Sequence, residues 1–126
     1  MQEYKLGVME GRFAELIWAH APISTGNLVK LCQEQFDWKR TTTYTMLKRL
    51  CQRGFFENRD ATVVVLVSKE EFEAKLSGQF VKETFGGSLP AFIAAFIKEQ
   101  TLSKDEAEQI HQMIKEHRAA QSIEKS

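Results

Sequence analysis

Residues 38–54 read WKRTTTYTMLKRLCQRG, and this stretch decides how the chain is interpreted. Its apolar positions recur at helical spacing, which predicts a helix over residues 40–53 that ends at Gly54. The stretch holds no Asp or Glu, and its basic residues are Lys39, Arg40, Lys48, Arg49 and Arg53. The formal net charge of the chain is zero, so this local basic segment predicts a protein that offers a single face to DNA. A solvated basic helix face is the alternative.

The predicted helix begins with a run of threonines, which are mediocre helix formers. Such a run is suited to DNA, because the hydroxyls can face phosphates and the methyl groups can face thymine methyls. One helical stripe holds Thr41, Tyr44, Thr45 and Lys48, with Thr42 and Arg49 beside it. The opposite stripe, which we expect in the core, holds Thr43, Met46, Leu47 and Leu50. An N-cap with solvent-exposed neighbours is the alternative for the threonines.

Two further helices are predicted before this segment, over residues 8–20 and 25–36. Pro22 stops the first, and Ser24 is the expected N-cap of the second. Trp38 is interpreted as an anchor of the core or the turn, with base stacking as the alternative. In a helix-turn-helix the second helix of the motif enters the major groove, so Lys39 and Arg40 are candidate phosphate contacts.

Residues 55–67 change character and predict a short β-hairpin with a polar tip at residues 58–61. At this tip Arg59 is a candidate contact to the minor groove or the DNA backbone, while Asn58 could equally be a simple turn residue. Three helices followed by a hairpin are typical of a winged helix-turn-helix. The predicted fold is therefore mainly α with a small β component, and the DNA-binding domain is assigned to residues 1–68.

Residues 69–126 are predicted to form a helical dimerisation region. Capping boxes that start at Ser68 and Ser103 open helices over 69–85 and 104–118, and a third helix spans 90–100 after the Gly86-Gly87 break. The polar tail 119–126 is expected to fray. One side of the middle helix carries the candidate dimer contacts Phe92, Ile93, Phe96 and Ile97. A bundle within one chain is the alternative for these side chains, but two-fold pairing matches a palindromic operator.

Other classes of function find little support in the residues. No catalytic set and no Gly-rich phosphate loop is recognised, so no enzyme and no cofactor are expected. Cys32 and Cys51 form no CxxC pattern and are interpreted as small buried hydrophobes, and the histidines show no metal-ligand spacing. Since neither a membrane span nor a signal peptide is recognised, a cytoplasmic location without association with a membrane is predicted. A protein-interaction module and a metal sensor remain alternatives to a DNA-binding repressor.

The residues also resemble a known family, the penicillinase repressors (BlaI/MecI). The resemblance rests on residues 6–18, on the segment from Trp38 to Gly54, on LVSKEE at 66–71, and on FGGSL at 85–89 followed by LSKDE at 102–106. It implies a winged helix, a homodimeric repressor, and a palindromic operator that often has TACA/TGTA half-sites. At matching positions it implies groove or phosphate contacts for Thr41, Thr42 and Thr45, and a backbone contact for Arg49.

The resemblance further implies control of antibiotic resistance, with a membrane sensor and a protease that cuts the repressor as candidate partners. Family repressors of the penicillinase type are cut at an Asn-Phe bond, whereas the corresponding pair here is Ala95-Phe96. Copper-responsive relatives carry a C-terminal cysteine cluster, and the tail AAQSIEKS has none.

Overall fold

The computed structural model describes residues 4–125. The elements in chain order are α1 (Val8–His20), β1 (Ile23–Ser24), α2 (Thr25–Phe36), α3 (Arg40–Gln52), β2 (Phe56–Arg59), β3 (Thr62–Val65), α4 (Lys69–Phe85), α5 (Leu89–Glu99) and α6 (Lys104–Lys125). The mainly α fold with a small sheet and the predicted order of helices are therefore confirmed. The chain divides into two compact units, with the boundary inside α4 between Phe80 and Val81.

The core of the first unit collects the apolar faces that the periodicity of α1, α2 and α3 predicts. Phe13 and Ile17 from α1, Leu28 from α2, Leu50 from α3 and Val63 from β3 are all essentially inaccessible to solvent. Phe55, Phe56 and the α4 residue Phe72 join the same cluster. Removing apolar surface from water on this scale is the main force that fixes the three helices around the sheet.

The sheet has three antiparallel strands in the order β1-β3-β2. Strand β1 was not predicted, because two residues are too short to show an alternating pattern. Its place depends on tertiary contacts, in which Ile23 lies opposite Val63 and the backbone N–H of Thr25 donates to the carbonyl of Ala61 over 2.9 Å. With β2 and β3 as its hairpin, the first unit is a winged helix.

The predicted tip of the hairpin was too long. Asn58 and Arg59 belong to strand β2, where they pair with Val63 and Thr62. The turn itself is formed by Asp60 and Ala61, whose φ angles are 51° and 62°. Two successive positive φ values match the right-handed twist of the flanking strands, which explains why the loop contains two residues instead of four.

Capping is confirmed at the helix starts that were predicted from serine residues. The Ser24, Ser68 and Ser103 hydroxyls accept hydrogen bonds from the backbone N–H groups of residues 27, 71 and 106, each at 3.1 Å. At the end of α4, Gly86 and Gly87 have φ values of 59° and 83°, and the Gly87 N–H donates to the Val81 carbonyl. These left-handed positions let the chain leave α4 and enter α5.

The expectation of a frayed tail was wrong. Helix α6 continues past residue 118 to Lys125, while Ser126 lies outside the described residues. Residues 119–125 read AAQSIEK and contain neither Gly nor Pro, so helix propensity carries the helix onward.

The second unit leaves its apolar side chains largely uncovered in the single chain. No residue of α5 is buried; Phe92 is half-buried and stacks edge-on against Phe85 with ring centroids 5.5 Å apart. Phe96 and Ile97 are 43% and 51% exposed. Among residues 4–125 no single helix is long and apolar enough to span a membrane, although α4 and α5 taken together reach that length and composition.

The turn generates a stability prediction. An alanine with positive φ is strained, and glycine removes the Cβ responsible for that strain. We expect Ala61→Gly to stabilise the protein by about 0.5–1 kcal/mol in urea denaturation. The control Ala74→Gly, at an exposed position of α4, should destabilise it by about 1 kcal/mol. If both variants lose stability equally, the turn carries no strain.

Candidate DNA-binding surface

Helix α3 is held by its inner face. Thr43, Leu47 and Leu50 are buried, which confirms the predicted core stripe, and Met46 packs at its edge. Thr43 is the one polar member, and its hydroxyl donates to the Lys39 carbonyl over 3.4 Å. Because a buried hydroxyl without a partner is costly, this bond allows Thr43 to lie between α2 and α3.

The turn that leads into α3 is fixed by aromatic contacts. Asp37 adopts a left-handed conformation with a φ of 55° and ends α2. Trp38 follows half-buried, with its ring centroid 5.5 Å from that of Phe13 and 5.0 Å from that of Phe36. This packing confirms that Trp38 is an anchor and sets the position at which α3 begins.

The opposite face of α3 is open to solvent and carries the predicted contact residues. Lys39 immediately before the helix and Arg40, Thr41, Thr42, Thr45, Lys48 and Arg49 within it are exposed, and Tyr44 is half-exposed. Helical geometry therefore brings eight of the nine candidate DNA contacts onto one continuous surface, which we call the α3 outer face.

Side-chain contacts arrange part of the α3 outer face in advance. The Thr45 hydroxyl donates to the Thr41 carbonyl over 2.9 Å, so its hydrogen is occupied while its methyl group and acceptor lone pairs remain available. The Arg40 guanidinium lies over the Tyr44 ring, 5.3 Å from the centroid. Thr45 is thereby suited to an apolar or hydrogen-bond-accepting contact, and Arg40 to a phosphate.

The start of α3 has the electrostatics of an anion site. Its N-cap is Lys39, which makes no capping hydrogen bond, and its first turn contains no acidic residue. The backbone N–H groups at a helix start carry partial positive charge and bind phosphate readily when no side chain occupies them. Lys39 and Arg40 add full charges at the same end.

Arg59, the ninth candidate, lies on the hairpin, at the end of strand β2. Its Nε and Nη2 atoms donate to the two carboxylate oxygens of Glu57 at 3.1 and 3.0 Å. This bidentate pair is solvent-exposed, and the hydrogen bonds from Arg59 lower the pKa of the Glu57 carboxyl. Any contact of Arg59 with DNA would compete with this ion pair. The spacing of the two residues in the sequence did not reveal the pair.

Two further residues alter the picture drawn from the sequence. Gln52 is exposed and extends the stripe of Thr41, Thr45 and Lys48 to the end of α3, and its helical spacing from these residues is visible in the sequence. Arg53, in contrast, was counted in the basic segment, but its guanidinium turns to Lys5 and Glu10 of the same chain. Its charge is therefore not part of the α3 outer face.

The described residues offer no other evident chemistry. Cys32 is buried, as predicted, whereas Cys51 is only half-buried, and both are free thiols. Burial raises the pKa of each thiol, which disfavours the reactive thiolate. Within residues 4–125 no group of three or more His, Cys, Asp or Glu side chains could hold a metal ion.

Comparison with known proteins agrees with this geometry. Residues 6–116 match the model of the family described as penicillinase repressor. The chain belongs to the penicillinase repressor family. Its members are transcriptional repressors, so this protein is a repressor and not an enzyme.

Individual relatives are distant but nearly collinear with this repressor. The methicillin resistance regulatory protein MecI of Staphylococcus aureus strain Mu50 is 25% identical over 115 residues, which cover 88% of this chain and 94% of MecI. The penicillinase repressor of Bacillus licheniformis is 25% identical over 108 residues, covering 82% and 84% of the two chains. An uncharacterised 16.5 kDa protein of Latilactobacillus sakei is 25% identical over 109 residues, covering 83% and 75%.

The ion pair between Glu57 and Arg59 leads to a prediction about the pKa of the Glu57 carboxyl. The folded-state pKa of Glu57 lies below its ordinary value, so the pair contributes to stability above that ordinary value and loses its contribution as the pH falls through the folded pKa. We expect an NMR titration of the Glu57 carboxyl to show the lowered pKa, and Arg59→Gln to restore the ordinary one. Lys48→Gln, a control that removes a distant positive charge, should leave the Glu57 titration unchanged.

Proposed function

We propose that this repressor acts as a homodimer that binds a palindromic operator, with the α3 outer face of each chain in one major groove. The observation that carries the proposal is the α3 outer face itself, with an uncapped basic helix start and exposed threonines on a helix whose other side is locked into the core. In helix-turn-helix proteins such a face reads base edges through its N-terminal residues.

The contacts divide by chemistry into positioning and reading. Lys39, Arg40, Lys48 and Arg49 carry the charge that phosphates attract, so we assign them to positioning. We assign Thr41, Thr42 and Thr45 to reading, because they can present methyl groups and oxygens to base edges. Tyr44 is assigned to holding the Arg40 guanidinium, which lies over its ring. Arg59 is assigned to the DNA backbone beside the hairpin, after exchange of its Glu57 partner for a phosphate.

Dimerisation is proposed through the second unit. Phe92, Ile93, Phe96 and Ile97 lie along α5, and α6 adds further exposed apolar side chains at Ile110, Met113 and Ile114. Burying one side chain of this size is worth about 1.5–3 kcal/mol, so a two-fold contact that covers this surface supplies ample free energy for pairing. In this assignment residues 1–68 bind DNA and residues 69–126 pair the chains.

The names of the relatives suggest which genes this repressor controls and which kind of partner induces them. Their names point to methicillin resistance and penicillinase, so we propose antibiotic-resistance or related genes as the targets, repressed in the bacterial cytoplasm. A sensor or protease partner is proposed by the same reasoning. With Ala95-Phe96 at the position where relatives of the penicillinase type carry Asn-Phe, any cleavage must obey a different sequence preference.

The proposal is tested by fluorescence anisotropy on the DNA upstream of the protein's own gene, across a salt series and against scrambled DNA. Release of counterions from phosphates makes log affinity fall with log salt by about 0.9 per contact. We expect tight, salt-sensitive binding that resists the scrambled competitor. A protein-interaction module would show weak and equal binding to both duplexes.

Substitutions on α3 separate reading from positioning. Thr45→Ala removes a base-reading methyl group and oxygen, so it should lower operator affinity by about 1–3 kcal/mol and leave binding to scrambled DNA unchanged. Lys39→Ala removes a phosphate contact and should weaken both duplexes about equally. Anisotropy on both duplexes measures this difference, and identical behaviour of the two variants would contradict the division.

A substitution in α5 tests the dimer. Phe96→Asp places a charge on the apolar surface of the second unit and should give monomers by light scattering, with weakened operator binding. The control Val8→Asp changes an apolar side chain that is 77% exposed in the first unit, and it should leave the mass of a dimer. An unchanged mass for Phe96→Asp would place the dimer contact elsewhere.

A further inference from the structure

Arg53, the residue that follows α3, connects the end of this helix to Lys5 and Glu10. Arg53 is the C-cap of α3, and its Nη2 donates to the Lys5 carbonyl over 2.6 Å. Its Nη1 lies 3.6 Å from the Glu10 carboxylate, and its guanidinium carbon lies 4.9 Å from the centroid of the Phe55 ring. The Arg53 and Glu10 side chains are only 26% and 20% exposed, so solvent screens their attraction less than at an open surface.

Both partners of Arg53 are themselves fixed. Glu10 uses its other carboxylate oxygen to accept the Gly7 N–H at 3.0 Å, which holds residues 5–7 against the first turn of α1. Upstream, the Tyr4 ring packs against Phe55 and Phe72, and the Tyr4 N–H donates to the Gln79 side chain over 3.0 Å. The segment that receives Arg53 is thus anchored to both α1 and α4.

We propose that Arg53 and Glu10 are positioning residues for operator recognition, which hold the last turn of α3 at the angle that its outer face requires. This inference rests on the proposed function. The buried residues Leu47 and Leu50 fix the inner face of α3, but the polar anchor of its end is Arg53. A guanidinium donates to a carbonyl and a carboxylate from separate nitrogens while its face covers an aromatic ring, whereas a lysine ammonium is a point charge with all its donors on one nitrogen.

A direct phosphate contact by Arg53 is the competing explanation. It would require the guanidinium to leave the Lys5 carbonyl and to approach DNA with the Glu10 carboxylate beside it. The two explanations predict opposite results for the carboxylate: removing Glu10 frees a phosphate-binding Arg53 and strengthens DNA binding, whereas it weakens operator binding if Glu10 holds Arg53 in place.

The test measures Arg53→Lys and Glu10→Gln by anisotropy on operator and scrambled duplexes across a salt series. Both variants should lose about tenfold in operator affinity, the scale of one misplaced base contact, with unchanged binding to scrambled DNA and an unchanged salt slope. The double variant should lose no more than either single one, because both changes break one unit. Glu34→Gln, a carboxylate exposed on α2, is the control and should not lower operator affinity.

Hydrogen exchange supplies a readout that needs no DNA. The amides of the last turn of α3 and of residues 5–11 should exchange faster in both variants than in the parent protein, while those of α6 stay unchanged. Wild-type operator affinity for Arg53→Lys, or tighter binding for Glu10→Gln, would overturn the inference, as would unchanged exchange. A parent protein that does not distinguish the operator would instead overturn the proposed function and this inference with it.

Discussion

The packing of α3 against α2 is the contact on which the rest of the molecule depends. Leu47 and Leu50 enter the core fully, and Thr43 joins them because its hydroxyl is satisfied by the Lys39 carbonyl. With one side of the helix committed in this way, helical geometry turns Thr41, Thr45 and their neighbours outward. The α3 outer face is therefore a consequence of how the core is filled.

The ends of α3 are controlled separately from its middle. At the start, Trp38 packs between two phenylalanines and leaves the first N–H groups of the helix without a side-chain cap. At the end, Arg53 holds residues that are anchored to α1 and α4. In the proposed complex, a helix that is already fixed along one side and at both ends would need little further ordering, which keeps the cost of binding low.

Much of this arrangement was predictable from the sequence because it depends on local rules. The 3.6-residue periodicity predicted α1, α2 and α3 within a residue of their observed ends, and serine caps predicted the starts of α2, α4 and α6. The same periodicity divided α3 into its buried and exposed stripes. The family resemblance, carried by short segments spread along the chain, is confirmed by the match over residues 6–116.

What the sequence did not reveal depends on contacts between distant residues. Strand β1 forms because Ile23 pairs with Val63, and a two-residue strand is too short for its sequence pattern to predict that pairing. The ion pairs Glu57–Arg59 and Glu10–Arg53 depend on how side chains are oriented in the folded protein. Because these pairs occupy two arginines, the number of basic residues in the sequence exceeds the number of charges free to meet DNA. Helix α6 extends past its predicted end at residue 118 because the helix propensity of its alanines outweighs the polarity of the segment.

The α3 outer face belongs to the first unit and the exposed apolar side chains of α5 belong to the second, and the proposal that they read DNA and pair two chains has a direct test. That test is the selection of bound sequences from a pool of random DNA duplexes by the full-length protein. Two chains related by two-fold symmetry, each with α3 in one major groove, predict an enriched inverted repeat whose half-sites lie about one helical turn, or a whole number of turns, apart. An enriched motif without symmetry, or no enrichment at all, would contradict the account.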